Sequence, residues 1–280
     1  MQPTNCLNCE TALSDGQRFC PNCGQKTDTH RLTWKHFSHE VFHALAPADK
    51  GLVYLFKELV LRPGAVAREY LAGKRQKYFN PFSYFLISAG VIVLADSLFG
   101  NEAPETLPDP SILARLPTEA ARAGYVGMLH RSYEVTHFIA EHGNLFAIAA
   151  IPVFASVWWL FYRRRGYNYV EFLTGAMLID SVTNVLLPLV LAFVQHVGGA
   201  AVVLSFTRVA FVLQLFYLTY GLTGFLQLQS IKARLGGATV ALLSQLTWMA
   251  VSYSLLGAYL FRNRQFYQFP LAVFRALVTF

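Results

Sequence analysis

Residues 172–197 read FLTGAMLIDSVTNVLLPLVLAFVQHV, and this stretch decides the fold. A hydrocarbon core of roughly 30 Å is crossed by about 20 mostly apolar residues in helical form. The stretch exceeds that length with one carboxylate, Asp180, in its interior. A water-soluble helix would interrupt such a run with a polar face. Working outward, four further runs have the same character: 82–99 (FSYFLISAGVIVLADSLF), 144–162, 200–225 and 238–261. The expectation is an all-α integral membrane helical bundle of about five transmembrane helices.

Composition agrees. Hydrophobic residues make up 54% of the 280 and charged residues 14%, against a charged share of roughly a quarter in soluble domains. Residues 1–30 lack the apolar core of an export signal, so the N-terminal part is expected to stay where it is made. The net charge is +7, and the cluster nearest the first span (Lys74, Arg75, Lys77) fits anionic lipid headgroups better than nucleic acid. Arg163–Arg165 follow the second span, and Lys232 with Arg234 precede the fifth. With an acidic 100–143 segment between spans one and two, this alternation predicts a cytoplasmic N-terminus. Arg262 and Arg264 fit that rule less well. The apolar tail, within 262–280, reads as interfacial.

Before the first span the chain divides in two. Residues 1–28 hold Cys6, Cys9, Cys20 and Cys23 as CLNC and CPNC, two Cys-x-x-Cys knuckles that can place four thiolates around one structural Zn²⁺. So short a segment has almost no core, so the metal would supply its folding energy. Two disulfides or four free thiols are the competing readings, and a cytoplasmic location disfavours disulfides. Residues 29–81 read as an amphipathic collar at the membrane surface. Leu52, Leu55, Phe56, Leu59 and Val60 form its apolar stripe, Pro63-Gly64 breaks the first helix, and Gly73 ends the second. No internal repeat is evident.

Three constellations could carry chemistry. His39-Glu40-Val41-Phe42-His43 matches the H-E-x-x-H of zinc proteases. On a helix its ligands would face away from the apolar residues Trp34, Phe37, Val41 and Leu45, which favours a solvated face, although Glu58 or Glu69 could supply a third ligand. His130, Glu134, His137 and Glu141 share a helix face that is either solvated or a divalent-cation site. Within the spans, Asp180 and Asn184 lie one turn apart, and Arg208 sits at a similar count along the next span, so an intramembrane polar cluster of the three is expected. It is either a clamp between helices or part of a substrate, ion or proton path.

The segments CLNC and FCPNCGQ, RPGAVAREYLAGKRQKYFNP (62–81), IPVFASVWWLFYRRRGYNYVEFL (151–173) and a weaker stretch around 219–237 resemble a family of bacterial membrane proteins defined by the domain of unknown function DUF3667. The resemblance implies a zinc-ribbon protein of a bacterial inner membrane and no particular activity. The H-E-x-x-H and the tail lie outside the pattern. The first expectation is a non-enzymatic membrane protein whose cytoplasmic zinc ribbon acts as a module that binds a protein partner or is regulatory, with the bundle as anchor or sensor. A transporter or lipid-handling protein using Asp180, Asn184 and Arg208 is second, and a membrane metalloprotease is third. A polar cavity between spans three and four would favour transport; a dry bundle would favour an anchor.

Overall fold

The computed structural model describes residues 4–29, 31–34, 51–99, 107–197 and 200–261. The H-E-x-x-H at 39–43 and the tail at 262–280 lie outside them. The described chain is a helical membrane bundle preceded by the four-cysteine ribbon. We number its helices α1 (Gly51–Leu61), α2 (Pro63–Leu71), α3 (Pro81–Phe99), α4 (Pro110–Arg115), α5 (Glu119–Tyr162), α6 (Tyr169–Val197), α7 (Ala200–Phe225) and α8 (Ile231–Phe261).

Each start has a local cause. Proline occupies the first turn of α2, α3 and α4, where its missing N–H is no loss. The Asn80 side chain accepts from the Phe82 and Ser83 amides and opens α3. Thr118 caps α5 through the Ala121 amide. At α6, Asn168 accepts from the Glu171 amide while the Glu171 carboxylate accepts from the Asn168 amide, a reciprocal capping box. Ser230 accepts from the Ala233 amide, so α8 begins at Ile231 rather than near 238, and Lys232 and Arg234 belong to its first turn. The second span also extends further than its apolar run: α5 is one 44-residue helix whose only break is a non-helical His142.

Among the described residues, four helices are long and apolar enough to cross a membrane: Pro81–Leu98, Glu141–Arg165, Tyr169–Val197 and Ile231–Leu260. Their outward faces carry large apolar side chains such as Leu94, Leu160, Phe193 and Leu255, each more than half exposed. A soluble monomer does not show patches of that extent. Helix α7, which carries Arg208 and Gln214, does not join the four.

The core centres on α6, whose residues from Val170 to Thr183 are all buried. It packs against α1, α2, α3, α5 and α7. Helices α6 and α7 run antiparallel, since Gly175 meets Phe225, Ile179 meets Gly221, and Asp180 meets Gln214. Helices α5 and α8 pair in the same sense, with Arg131 Nε donating to the Leu260 carbonyl and Tyr162 opposite Gly236.

The collar helices pack into this bundle. Leu55, Leu59, Val66 and Ala67 are fully buried, while Val60 of the expected stripe faces outward. The Tyr217 and Tyr220 hydroxyls donate to the Leu59 and Leu61 carbonyls at 2.8 and 2.7 Å. These oxygens lie in the last turn of α1, where no intrahelical donor remains. Gly64 permits the close crossing of α2 over α7: a Cβ there would lie 2.6 Å from the Gly221 carbonyl oxygen and closer still to the Gly224 and Phe225 backbone. Backbone cannot yield as a side chain can. Gly64→Val is therefore expected to destabilise by about 3 kcal/mol or more, read as a fall in the melting temperature of detergent-purified protein. Gly90→Ala, with open space around it, is expected to leave that temperature unchanged; equal behaviour of the two variants would contradict the crossing.

Candidate functional site

The ribbon is built from two copies of one turn, one at each Cys-x-Asn-Cys segment. Cys6 N donates to Thr11 O and Glu10 N to Cys6 O; fourteen residues on, Cys20 N donates to Gln25 O and Gly24 N to Cys20 O. Two isolated bridges, Asn5 with Ala12 and Phe19 with Lys26, keep the same offset. The residue after each knuckle has positive φ, 63° at Glu10 and 71° at Gly24. Glycine adopts this without strain and glutamate at some cost, so only the second knuckle announces its geometry in sequence.

These turns bring the four sulfurs within 4.8 Å of one another, with Cys6–Cys23 and Cys9–Cys20 pairs at 3.6 Å. Disulfide sulfurs would be about 2.05 Å apart. Four thiolates on a tetrahedral Zn²⁺ with bonds of about 2.3 Å sit about 3.8 Å apart. The donor set and spacing therefore fit one such ion. Burial pushes the Cys6 thiol up to about 11, whereas the Thr11 hydroxyl and amide hold Cys9 down at about 6. A divalent ion would favour the thiolate at all four positions.

The ribbon does not hang free of the bundle. Gln25 accepts from the Gln76 amide at 2.8 Å, and Leu7 lies over Gly73, whose φ of 102° suits a residue without a side chain. The linker then docks on the start of α6. Arg31 grips Glu171 through two hydrogen bonds of 2.6 Å and also donates to the Gly166 carbonyl. Asn168 donates to the Leu32 carbonyl, and Trp34 stacks on Tyr169 at 5.8 Å.

The collar carries a charged knot around Glu69. Its carboxylate accepts from Arg62 at 2.9 Å, Lys77 at 2.8 Å and the Tyr78 hydroxyl at 2.7 Å, while Arg62 also binds Glu58. Partial burial opposes ionisation of Glu69, but the bonds from Lys77, Tyr78 and Arg62 prevail and hold it at about 2. Glu58 and Glu69 are thus bound up with Arg62.

Deep in the bundle, Asp180 is 2% exposed. It accepts from the Asn184 amide at 3.0 Å, the Thr183 hydroxyl at 3.2 Å and the Gln214 amide at 3.3 Å. Asn184 and Asp180 are thus brought together. Arg208 is not with them: that residue lies on an exposed face of α7, and Gln214 is the α7 side chain that reaches the carboxylate. The antiparallel register explains this, because it sets Arg208 well beyond Asp180, toward the α6–α7 connection.

The carboxylate borders a chamber of about 240 Å³, which Asn184, Gln214 and Gln245 also line. Gln245, on α8, is 3% exposed, and neither its Oε1 nor its Nε2 has a hydrogen-bond partner among the described residues. An adjoining space of about 460 Å³ shares Ile92, Gly143, Asn184 and Gln214, and continues past Asp96 and Thr136 to Gln195. Gln195 lies at the end of α6 farthest from the ribbon. Gln214 is an amide within an apolar run, and Gln245 follows Ser244 in a span that is mostly apolar; these are their only signals in sequence.

The face at 130–141 does not close on itself. His130 pairs with Glu134 at 3.5 Å and His137 with Glu141 at 3.5 Å, all well exposed, while Tyr259 donates to Glu134 at 2.8 Å.

Fold and site together define a membrane bundle capped by a four-cysteine ribbon. Residues 49–93 match the family model described as protein of unknown function (DUF3667), and residues 5–27 match a zinc-ribbon domain. This is the family that the sequence resembles, and the matched segments are the ribbon, α1, α2 and most of α3. No curated protein and no solved structure matches the chain.

Two outcomes follow. The purified chain is expected to carry about one zinc, measured by plasma emission; less than about half an equivalent would contradict the metal site. A depressed carboxylate stabilises the fold above its unfolded value, here 4.5, and that contribution fades as pH falls toward about 2. Glu69→Gln is therefore expected to remove about 1–2 kcal/mol at neutral pH, allowing for solvent at the knot, and to flatten the loss of stability below pH 4.5. An unchanged pH profile by thermal melts would exclude this role.

Proposed function

We propose that the bundle binds a small ligand inside the membrane, in the chamber beside Asp180, and that the zinc ribbon is a regulatory cap on the same helix. Gln245 carries the reading. A glutamine buried among helices with neither side-chain atom bonded costs about 1–3 kcal/mol for each unmet group. Natural cores avoid this unless the group serves something other than stability.

The chamber also bears on the choice between an anchor and a transporter. A space bounded by α3, α5, α6, α7 and α8, mainly apolar but carrying Asp180, Asn184, Gln214 and Gln245, is suited to transport or ligand sensing, and ligand sites near the bilayer midplane are typically built so. Its continuation toward Gln195 supports access from the end away from the ribbon. In this reading α7 spans the membrane with the other four helices. The ribbon lies on the cytoplasmic side, since Arg62, Arg68, Lys74, Arg75 and Arg163–Arg165 all lie at that end. The bacterial inner membrane is the location this reading adopts from the family resemblance. Arg31 on Glu171 would tie the ribbon's state to α6, so the ribbon regulates from within the bundle's own structure. A cytoplasmic protein could read the same cap.

The alternative for the Asp180 cluster is a structural clamp, and stability separates the two. Gln245→Leu, close in volume, is expected to raise the melting temperature of the purified protein by about 2–4 °C, because an unmet polar group is removed. A fall of that size would mean that the glutamine is structural and would overturn the ligand-site reading.

A further inference from the structure

The hydrogen bonds at Asp180 run in one direction. Asn184 and Gln214 each use their amide nitrogen on the carboxylate. Their carbonyl oxygens are left on the other side of each amide, and both residues line the chamber. Gln245 adds an oxygen and an amide nitrogen, neither with a partner among the described residues. The chamber is therefore rich in acceptors around a carboxylate whose partners are Thr183, Asn184 and Gln214, none of them basic. A buried carboxylate is stabilised best by a cation.

The remaining walls say which kind. Phe146, Phe154, Phe211 and Trp248 border the same chamber. Aromatic faces attract ammonium groups through their quadrupole and accommodate hydrocarbon. A bare metal ion would instead be enclosed by oxygens on all sides, and a space of about 240 Å³ is far larger than one ion requires. At the outer space, Asp96 supplies a second carboxyl group on the route from Gln195 inward, so each of the two spaces has one in its wall.

We infer that the chamber binds a small organic amine in its protonated form, its N–H groups on Asp180 and the carbonyl oxygens of Asn184, Gln214 and Gln245, and its hydrocarbon against Trp248 and Phe211. This rests on the ligand-binding reading above. Asp180 supplies the charge, the amides supply direction, and the aromatic wall selects an organic cation over a hydrated ion.

Three probes with one ring separate the classes: cyclohexylammonium, cyclohexanol and cyclohexanecarboxylate, titrated into detergent-purified full-length protein and read by thermal shift and calorimetry. Sodium and potassium chloride at matched ionic strength complete the set. Saturable stabilisation is expected from the ammonium, with the alcohol at least about tenfold weaker and the carboxylate inactive. Asp180→Asn is expected to abolish the preference for the ammonium over the alcohol, and Trp248→Leu to weaken the ammonium about three- to tenfold. A folded Asp180→Asn protein that retained the preference would overturn the inference. So would equal binding of the alcohol or carboxylate, or specific stabilisation by an alkali ion, and each of these leaves the ligand chamber standing. Failure of every probe would overturn both the amine inference and the chamber's role.

Discussion

The first half of α6 is buried on every side, and it carries two carboxylates. Burying a charge among helices is tolerable only when it is paired or richly hydrogen-bonded. Much of the surrounding structure follows from how those two charges are met. Glu171 closes the helix N-terminus with Asn168 and receives Arg31 from the linker, at a position where the positive helix end already favours an anion. Asp180 lies nine residues further on. It receives three neutral donors and no guanidinium. One carboxylate holds the ribbon in place, and the other borders a cavity with no basic partner among the described residues.

Covering α6 also explains the collar. A membrane helix needs no collar when lipid can cover it, yet Leu55, Leu59, Val66 and Tyr70 are buried in the bundle core. The segment 62–81 is dense with positional demands. Arg62 ties Glu58 to Glu69, Gly64 lets α2 cross the α7 backbone, Gly73 makes room for Leu7, and Asn80 opens α3. That the DUF3667 model matches residues 49–93 accords with a segment in which so many side chains have fixed tasks.

How much of this was legible beforehand depended on the range of the interaction. The apolar runs and the cysteine spacing showed the helices and the thiol cluster, because hydrophobic length and metal-ligand spacing are local properties. Helix starts were less legible, because Ser230 and the Asn168–Glu171 box extend helices into polar sequence. The Asp180–Asn184 pair was readable as one helical turn. Arg208 was misplaced, because counting rise from the ends of two spans does not give their register; the Gly175–Phe225 and Ile179–Gly221 contacts do. Gln214 and Gln245 carry no charge and so stand out little in the sequence, although a glutamine in a membrane span is itself a polar group that must find a use. Arg31 with Glu171 joins positions far apart in the chain, and no local pattern marks it.

A thiol placed in the wall that the two spaces share tests both the cavity and its direction. In a chain bearing Asn184→Cys, with the ribbon cysteines held by zinc, a membrane-impermeant cationic methanethiosulfonate is applied to vesicles of known orientation. The reagent is expected to modify position 184 from the side opposite the ribbon and not from the ribbon side. No modification from either side, or modification from the ribbon side alone, would contradict a chamber that opens away from the ribbon.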